Sequence, residues 1–196
     1  MGCDIHSIAE IKTTKGWLPL ESDGRTSSWG SFFERNTQYF EPFNWRSYAI
    51  FGFLADVRNY SHCEPISEPR GLPTDSEHLN SPSPYAYDTS PMSGETIPES
   101  EKETIKSDLL DGGYHSYSWL LLKELTDFDY EKTFWDRRVT KQTAPNCWNG
   151  AALAEEGDGQ TITYREHLGE DYFKDLELLK SFGEPDNIRI VFWFDN

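Results

Sequence analysis

Hydrophobic and polar residues alternate along the first twelve positions of the chain, and this period of two predicts a β-strand. The face expected to pack in the core holds Cys3, Ile5, Ser7, Ala9 and Ile11. The opposite face carries two carboxylates and an imidazole, and it consists of Asp4, His6, Ile8 and Glu10. A strand that only faces solvent needs no such set, so this face is a candidate wall of a functional site.

Two further strands are predicted from their composition. Residues 188–194 are apolar at nearly every position and rich in β-branched and aromatic side chains, which is typical of a strand in the middle of a sheet. Residues 16–20 form a short strand, and Pro19 places it at an edge. We expect the last strand to pair beside the first, so that Asp195 approaches the face that carries Asp4 and His6.

Three helices are predicted between these strands. Asn44 is the expected N-cap of a helix over residues 45–58. Ser116 or Ser118 caps a second helix that runs to about Leu125, which puts His115 just before a helix N-terminus, where backbone N–H groups favour an anion. The third helix opens at Thr163 with a capping box and ends before a Gly-Glu-Pro sequence.

The order of these elements predicts an α+β fold. We expect a single domain over residues 1–196, with a mainly antiparallel sheet whose central strands are the N- and C-terminal ones, packed by about three helices. A long Pro/Ser/Glu-rich loop over 61–104 interrupts it and holds seven of the eleven prolines. A loop of this length is usually functional or disordered, and its 80–104 part has the composition of a solvated linker.

Composition and charge narrow the classes of function. The net charge of −16 argues against a broad basic surface for nucleic acid, but not against a small anion held in an Arg-lined pocket. Cys3, Cys63 and Cys147 are an odd number at irregular spacing, which indicates free thiols in a reducing compartment. No apolar run approaches the roughly 20 residues that span a bilayer. We therefore expect a cytoplasmic protein without a membrane partner.

Several pieces of the chain together resemble a family of small proteins encoded by tailed bacteriophages and prophages. They are Met1-Gly-Cys-Asp-Ile-His6, Arg46-Ser-Tyr48, Leu54-Ala-Asp-Val-Arg-Asn59, Ser67-Glu-Pro-Arg-Gly-Leu-Pro73, His115-Ser-Tyr-Ser-Trp-Leu120 and Arg189-Ile-Val-Phe-Trp-Phe-Asp-Asn196. The resemblance spans the whole chain, from the opening Met-Gly-Cys-Asp-Ile-His to the closing Phe-Asp-Asn. It implies an accessory protein of the phage, not a part of the virion, that acts in the cytoplasm of the infected bacterium.

The polar residues in these pieces are mostly arginine, histidine and carboxylates, the inventory of a phosphate-handling site. The candidate catalytic residues are His6 and His115, as general base and general acid on a phosphodiester, together with Asp4. The candidate ligand-binding residues are Arg46, Tyr48, Arg58, Arg70, Ser116, Ser118 and Glu10. Aromatic side chains that could stack a base are Tyr48, Tyr114, Tyr117 and Trp119.

Other uses of the same residues remain open. Arg46 and Arg58 can instead pair with the abundant carboxylates, and Arg70 can tie down its own loop. We expect no cofactor, but a divalent metal is a rival use of the acidic face, with Asp4, His6, Glu10 and Asp195 as the ligands. Trp119 and Trp193 are expected in the core, and assembly into a homo-oligomer is left open.

The leading hypothesis is a counter-defence protein that binds a small phosphorylated ligand, such as a cyclic nucleotide or an ADP-ribose-type immune signal. If it is an enzyme, it is a phosphodiesterase or other hydrolase that uses histidine for acid–base catalysis. One alternative is a sponge that sequesters the signal without catalysis. Another is an acidic interaction protein that mimics DNA or inhibits a host nuclease, and a third is a structural or regulatory phage protein without a ligand.

Overall fold

The structure is a computed structural model that describes residues 2–27, 39–76, 115–138 and 159–195. Within these ranges the strands are β1 (Ile5–Thr13), β2 (Gly16–Pro19), β3 (His115–Leu121), β4 (Thr133–Asp136), β5 (Gln160–Thr163) and β6 (Ile188–Phe194). The α-helices are α1 (Tyr48–Ala55), α2 (Leu122–Asp127), α3 (Tyr164–Leu168) and α4 (Glu170–Lys180), and a 3-10 turn covers Pro185–Asn187. None of the helices among these residues has the length and apolar composition needed to cross a membrane.

The chain divides into two compact units. The sheet unit contains Met1–Arg46, Pro69–Thr126 and Asp175–Asn196, and the aromatic unit contains Ser47–Glu68 and Asp127–Lys174. The prediction of one domain over 1–196 stays a prediction. Of the predicted 61–104 loop, the described part ends at Ser76, so the linker predicted at 80–104 lies outside the described residues.

The sheet unit is built on four antiparallel strands in the order β2-β1-β6-β3. The two strands nearest the chain ends, β1 and β6, are the central pair, in register from Ile5 opposite Phe194 to Ile11 opposite Ile188. Every residue of β6 is buried, as expected of a strand covered on both faces. The predicted α+β fold with the first and last strands at the centre of the sheet is confirmed.

The register assigns side chains to the two faces of this sheet, because residues directly opposite each other on neighbouring strands share a face. One face, here called the His6 face, carries the cross-strand pairs His6–Trp193, Ile8–Val191 and Glu10–Arg189. The other, the Ile5 face, carries Ile5–Phe194, Ser7–Phe192 and Ala9–Ile190. The alternation predicted for β1 is therefore present.

A segment of irregular chain, residues 69–76, crosses the His6 face as a strap. At one end the Gly71 N–H donates to the Tyr117 carbonyl of edge strand β3 over 2.8 Å. In the middle Leu72 packs against Ile8 and Val191, and at the other end Ser76 forms an isolated bridge beside Trp17 of edge strand β2. The strap covers the middle of the face that the polar pattern suggested was open, so Ile8 and Glu10 are buried.

The strap is fastened by an ion pair inside the protein. Arg189 is 2% exposed, and its Nε donates to Glu10, which is fully buried. Its other nitrogens donate to the Asp75 carboxylate at 2.7 Å and to the Ser76 hydroxyl. The guanidinium lies 4.2 Å from the ring centroid of Trp17. A buried charge is tolerated only when paired and hydrogen-bonded, and here the pairing joins β1, β6 and the strap.

The aromatic unit has a core of rings. Phe53 of α1 contacts the rings of Phe128, Tyr130, Tyr164 and Tyr172, with centroid distances of 5.0 to 6.1 Å. The Tyr130 and Tyr172 hydroxyls lie 2.8 Å apart and satisfy each other. Burial raises the pKa of Tyr130 to about 12. Strands β4 and β5 pair antiparallel beside this core.

The helices differ from prediction in extent and, in one case, in type. The predicted helix 45–58 is shorter, because its N-cap is Ser47 and Asp56 adopts the left-handed conformation that ends it. Of the helix predicted from Ser116 or Ser118 to about Leu125, the part up to Leu121 is instead strand β3, since pairing with β6 overrides local preference, and only the residues from Leu122 are helical, in α2. The capping box at Thr163 is confirmed, but Gly169 divides the predicted third helix into α3 and α4. Strands β4 and β5 were not predicted.

We expect Glu10→Gln to lower the free energy of unfolding by about 3 kcal/mol, because it removes the buried carboxylate and leaves the Arg189 charge paired only with the exposed carboxylate of Asp75. Urea denaturation measures the change. The matched control is Glu177→Gln, which removes an exposed ion pair with Lys180 in the same unit and should cost less than about 0.5 kcal/mol. Equal effects of the two substitutions would show that the buried pair does not hold the sheet together.

Candidate functional site

The chain ends of the central strands are fastened to each other at one end of the sheet. The Asp4 backbone N–H donates to Oδ1 of Asp195 at 2.9 Å, and the Asp195 N–H donates to the Asp4 carbonyl at 3.1 Å. The other carboxylate oxygen of Asp195 lies 2.9 Å from Nε2 of His6. The predicted approach of Asp195 to Asp4 and His6 is therefore confirmed. We call this group, with Arg46, the sheet-end site.

The His6 ring is fixed in orientation and in tautomer. Because an ionised carboxylate only accepts hydrogen bonds, Nε2 of His6 carries the proton that it shares with Asp195. The ring is stacked beside Trp193, at a centroid distance of 5.7 Å and an interplanar angle of 10°, and the side chain is 10% exposed. In neutral His6 the basic nitrogen is therefore Nδ1, the arrangement of a histidine oriented by a carboxylate to act as a base.

Arg46 lies beside this pair and is held by the opening motif. Its Nε and Nη2 donate to the two carboxylate oxygens of Asp4 at 2.8 and 2.7 Å, which is the bidentate geometry of a guanidinium–oxyanion pair. The guanidinium also lies against Gly2, where an added Cβ would come within 2.5 Å of Nη1. Within the opening motif, Gly2 leaves room for Arg46, Cys3 is buried in the core, and Asp4 and His6 form part of the site.

The arginines of the sheet unit differ in how firmly they are bound. The Arg46 side chain is 54% exposed and that of Asp4 is 34% exposed, and a pair so open to water contributes only about 0–1 kcal/mol. Arg189 is buried with its partners and cannot be released without a large penalty. Arg46, unlike Arg189, can therefore exchange its carboxylate for the oxyanion of a ligand at small cost.

His115 does not join His6. It is opposite Phe194 in the register and its ring is stacked beside that ring, at 6.1 Å and 24°, so it belongs to the Ile5 face. Its Nδ1 lies 2.9 Å from the Ser116 hydroxyl. Two histidines on opposite faces of one sheet cannot act as acid and base on one phosphodiester. The anion site predicted at a helix N-terminus beside His115 is also wrong, because β3 occupies that position.

Arg70 and Ser118 fasten the strap to β3. The Arg70 guanidinium binds both oxygens of Glu124, at 2.9 and 2.6 Å, and donates to the Trp119 carbonyl at 3.3 Å. The hydrogen bonds from Arg70 to Glu124 lower the pKa of the Glu124 carboxyl. The buried Ser118 hydroxyl accepts from the Arg70 backbone N–H. Arg70 thus ties its own loop to β3 and α2. This was the alternative to the prediction that Arg70 binds a ligand.

The remaining predicted residues lie apart from the sheet-end site. Glu10 is sealed under the strap with Arg189. Tyr48 and Arg58 belong to the aromatic unit, where the Tyr48 ring contacts Phe51 and Tyr60. Ser116 lies in the irregular start of β3 with a positive φ of 54°. The structure therefore brings together Asp4, His6, Arg46 and Asp195.

The aromatic residues proposed to stack a base are already in contact with other groups. The Tyr117 ring is stacked beside the ring of Trp193, which also contacts His6, and the Trp119 ring lies beside the guanidinium groups of Arg70 and Arg189. Tyr114 lies outside the described residues. At the sheet-end site these contacts favour recognition of a ligand through charge and hydrogen bonds over recognition through base stacking.

The rival prediction was a metal site on the acidic face, and it requires a cluster of metal-binding side chains. In the described parts of the chain, no group of three or more His, Cys, Asp or Glu side chains is arranged to hold a metal ion. Cys3 and Cys63 are buried free thiols, while Cys147 lies outside the described residues. Burial raises the pKa of Cys63 to about 11, so this thiol stays protonated at neutral pH and is unreactive.

A second polar cluster, in the aromatic unit, was not predicted from the sequence. His167 is buried, with Nε2 at 3.2 Å from the Ser61 hydroxyl and Nδ1 at 2.9 Å from Nη2 of Arg138. Arg138 in turn binds the buried carboxylate of Asp136. The capping box just before His167 was the one local signal, but it marks a helix start and not a polar site.

The cluster contains a serine, a histidine and an aspartate, the residue types of a catalytic triad. The hydrogen bond between histidine and serine, however, has the opposite direction to the one that activates a serine. Arginine can only donate, so Nδ1 of His167 accepts and Nε2 carries the proton. Nε2 therefore donates to Ser61, whose hydroxyl donates to Asn59. A base must accept the serine proton to activate it, so this histidine stabilises the packing of α3 and does not create a nucleophile.

Comparison of the chain with known protein families, curated proteins and solved structures finds no match. The resemblance to phage-encoded proteins therefore stays a prediction.

Because of the buried His167, we expect the protein to lose stability in mild acid. Burial, reinforced by the Arg138 charge, lowers the pKa of His167 from its ordinary value of 6.5 to about 4. The unfolded chain therefore binds the proton more readily, and this contribution to the unfolding free energy is complete above pH 6.5. It is lost as the pH falls from 6.5 to 4, by about 3 kcal/mol in total.

The measurement is urea denaturation at several pH values between 4 and 7, for the native chain and for His167→Gln. The carboxylates contribute equally to both proteins, so the difference between the two curves isolates His167. We expect the native curve to be steeper in this window. Parallel curves would mean that His167 does not carry the pH dependence.

Proposed function

We propose that the protein binds a small phosphorylated ligand at the sheet-end site, as an accessory protein with which a phage counters host defence. The observation that supports this best is the bidentate hold of Arg46 on the Asp4 carboxylate. Phosphate oxygens accept the same parallel pair of N–H bonds from a guanidinium. The site thus already contains a cation in the geometry that recognises phosphate.

Two features make Arg46 suited to a ligand. Its pair with Asp4 is exposed to water, so exchange of one oxyanion for another costs about 0–1 kcal/mol. Its guanidinium is positioned by contact with Gly2, so less conformational entropy is lost when a ligand binds. A net charge of −16 disfavours anions at long range, and a local cation must therefore supply the attraction.

Cleavage of the ligand would use His6 alone as the base. Asp195 holds Nε2 of His6, so Nδ1 is the nitrogen that would take a proton from an attacking water. A second histidine on the same face does not occur among the described residues of the sheet, because His115 lies on the other face. The proposed activities are thus binding through Arg46, with or without hydrolysis assisted by His6.

The test is to incubate stoichiometric protein with a panel of cyclic nucleotides, ADP-ribose and nucleoside monophosphates, and to detect bound ligand by native mass spectrometry. Arg46→Gln should weaken binding by about tenfold or more, because it removes the charged donor. The matched control is Arg25→Gln, which removes a partly exposed arginine that also pairs with an aspartate in the same unit and should leave binding unchanged.

Heat release of the bound molecule then separates an enzyme from a sponge. A ligand that the native protein releases in cleaved form, but that His6→Gln releases intact, supports hydrolysis. A ligand that both proteins release intact supports sequestration. Binding that is equal in Arg46→Gln and Arg25→Gln would contradict the assignment of the site, and no binding across the panel would contradict the function.

The second candidate is an acidic interaction protein, and the net charge of −16 favours it. It predicts that reversing charges in the 95–111 segment, which lies outside the described residues, abolishes activity in an infection assay. Arg46→Gln and His6→Gln would leave that activity intact. The phosphorylated-ligand proposal predicts the opposite pattern.

A further inference from the structure

Asp4 is more than the internal partner of Arg46. Both of its carboxylate oxygens lie on the Nε and Nη2 edge of the guanidinium, the edge that a phosphate would also take. The backbone of Asp4 is fixed to Asp195 by a hydrogen bond in each direction. When a phosphate replaces the carboxylate on Arg46, Asp4 can turn its side chain but cannot move its backbone away.

The displaced carboxylate then lies next to the bound phosphate and has two possible fates. Beside a phosphate without a neighbouring donor, the two negative charges repel each other at close range. Beside a phosphate whose ligand also carries a hydroxyl, the carboxylate accepts a hydrogen bond from that hydroxyl, and such charge-assisted bonds are the strong ones. The opened ion pair thus presents a cation for the phosphate and an acceptor for the hydroxyl, side by side.

We propose that the sheet-end site selects phosphorylated sugars or polyols, in which hydroxyl donors adjoin the phosphate, and that Asp4 is the residue that determines this selectivity. This inference rests on the proposed function, since it requires that Arg46 holds phosphate. It adds the substrate class. An analogue that lacks the hydroxyl leaves the negative charge of Asp4 beside that of the phosphate with no hydrogen bond between the ligand and the carboxylate, so it should bind less tightly.

The test uses two probes with the same three-carbon skeleton and the same phosphate charge, glycerol 3-phosphate with two hydroxyls and propyl phosphate with none. Binding is followed by NMR titration of the Arg46 Nε–H resonance in the full-length protein. The native protein should bind glycerol 3-phosphate about tenfold more tightly, the effect of one hydrogen bond to a charged acceptor. Arg46→Gln should abolish binding of both probes, as detected from backbone amide shifts.

Asp4→Asn separates the role of Asp4 from a general effect of charge. It should strengthen the binding of propyl phosphate, because the repulsion is gone, and reduce the preference for glycerol 3-phosphate to about threefold or less. The control is Asp75→Asn, which removes the exposed carboxylate of the strap that pairs with Arg189. The Arg189 pair is remote from the sheet-end site, because its other carboxylate, Glu10, lies four residues along β1 from His6, roughly 13 Å away. This control should keep the tenfold preference.

The outcomes separate this inference from the proposed function. Equal affinity of the native protein for the two probes overturns the inference and leaves the phosphate site standing. A tenfold preference that survives in Asp4→Asn overturns the assignment to Asp4. Absence of binding by both probes overturns the phosphate site and the inference with it. The ratio in the native protein decides the first point even if Asp4→Asn fails to fold.

Discussion

The antiparallel pairing of β1 with β6 is the constraint on which the rest of the sheet unit depends. It joins the two ends of the chain over seven cross-strand pairs and is reinforced at both ends by charge. At one end Arg189 and Glu10 form a buried pair, and at the other Asp195 binds the Asp4 backbone and the His6 ring. Because the pairing spans nearly the whole chain, the sheet-end site exists only after the last strand has folded against the first.

The strap gives the two halves of the His6 face different roles. Where residues 69–76 cover the face, Glu10 is sealed with Arg189 and its charge stabilises structure. Beyond the strap, the same face of β1 carries His6, and the strand leads back to Asp4 and its partly exposed pair with Arg46. The same chemical type, a carboxylate paired with an arginine, is structural at one end and exchangeable at the other because water reaches only one of them.

The two polar clusters also show how hydrogen-bond direction decides chemistry. His6 is bound at Nε2 by a carboxylate, which orients it as a base, whereas His167 is bound at Nδ1 by an arginine, which holds it neutral. The sequence alone does not distinguish the roles of these two histidines. Their partners come from positions 189 residues and 29 residues away, and only these partners fix the tautomer.

The sequence by itself determined the elements that strong local patterns define. Alternation predicted β1, a continuous apolar run predicted β6 as a central strand, and the capping box fixed the start of α3. It also placed Asp195 near His6, because two central strands from opposite chain ends must meet. The tertiary structure decided the rest: β3 is a strand because β6 offers it a partner, Glu10 is buried because the strap covers it, and His115 is separated from His6 by the sheet. Burial and facing depend on contacts between residues far apart in the chain, which local periodicity does not encode.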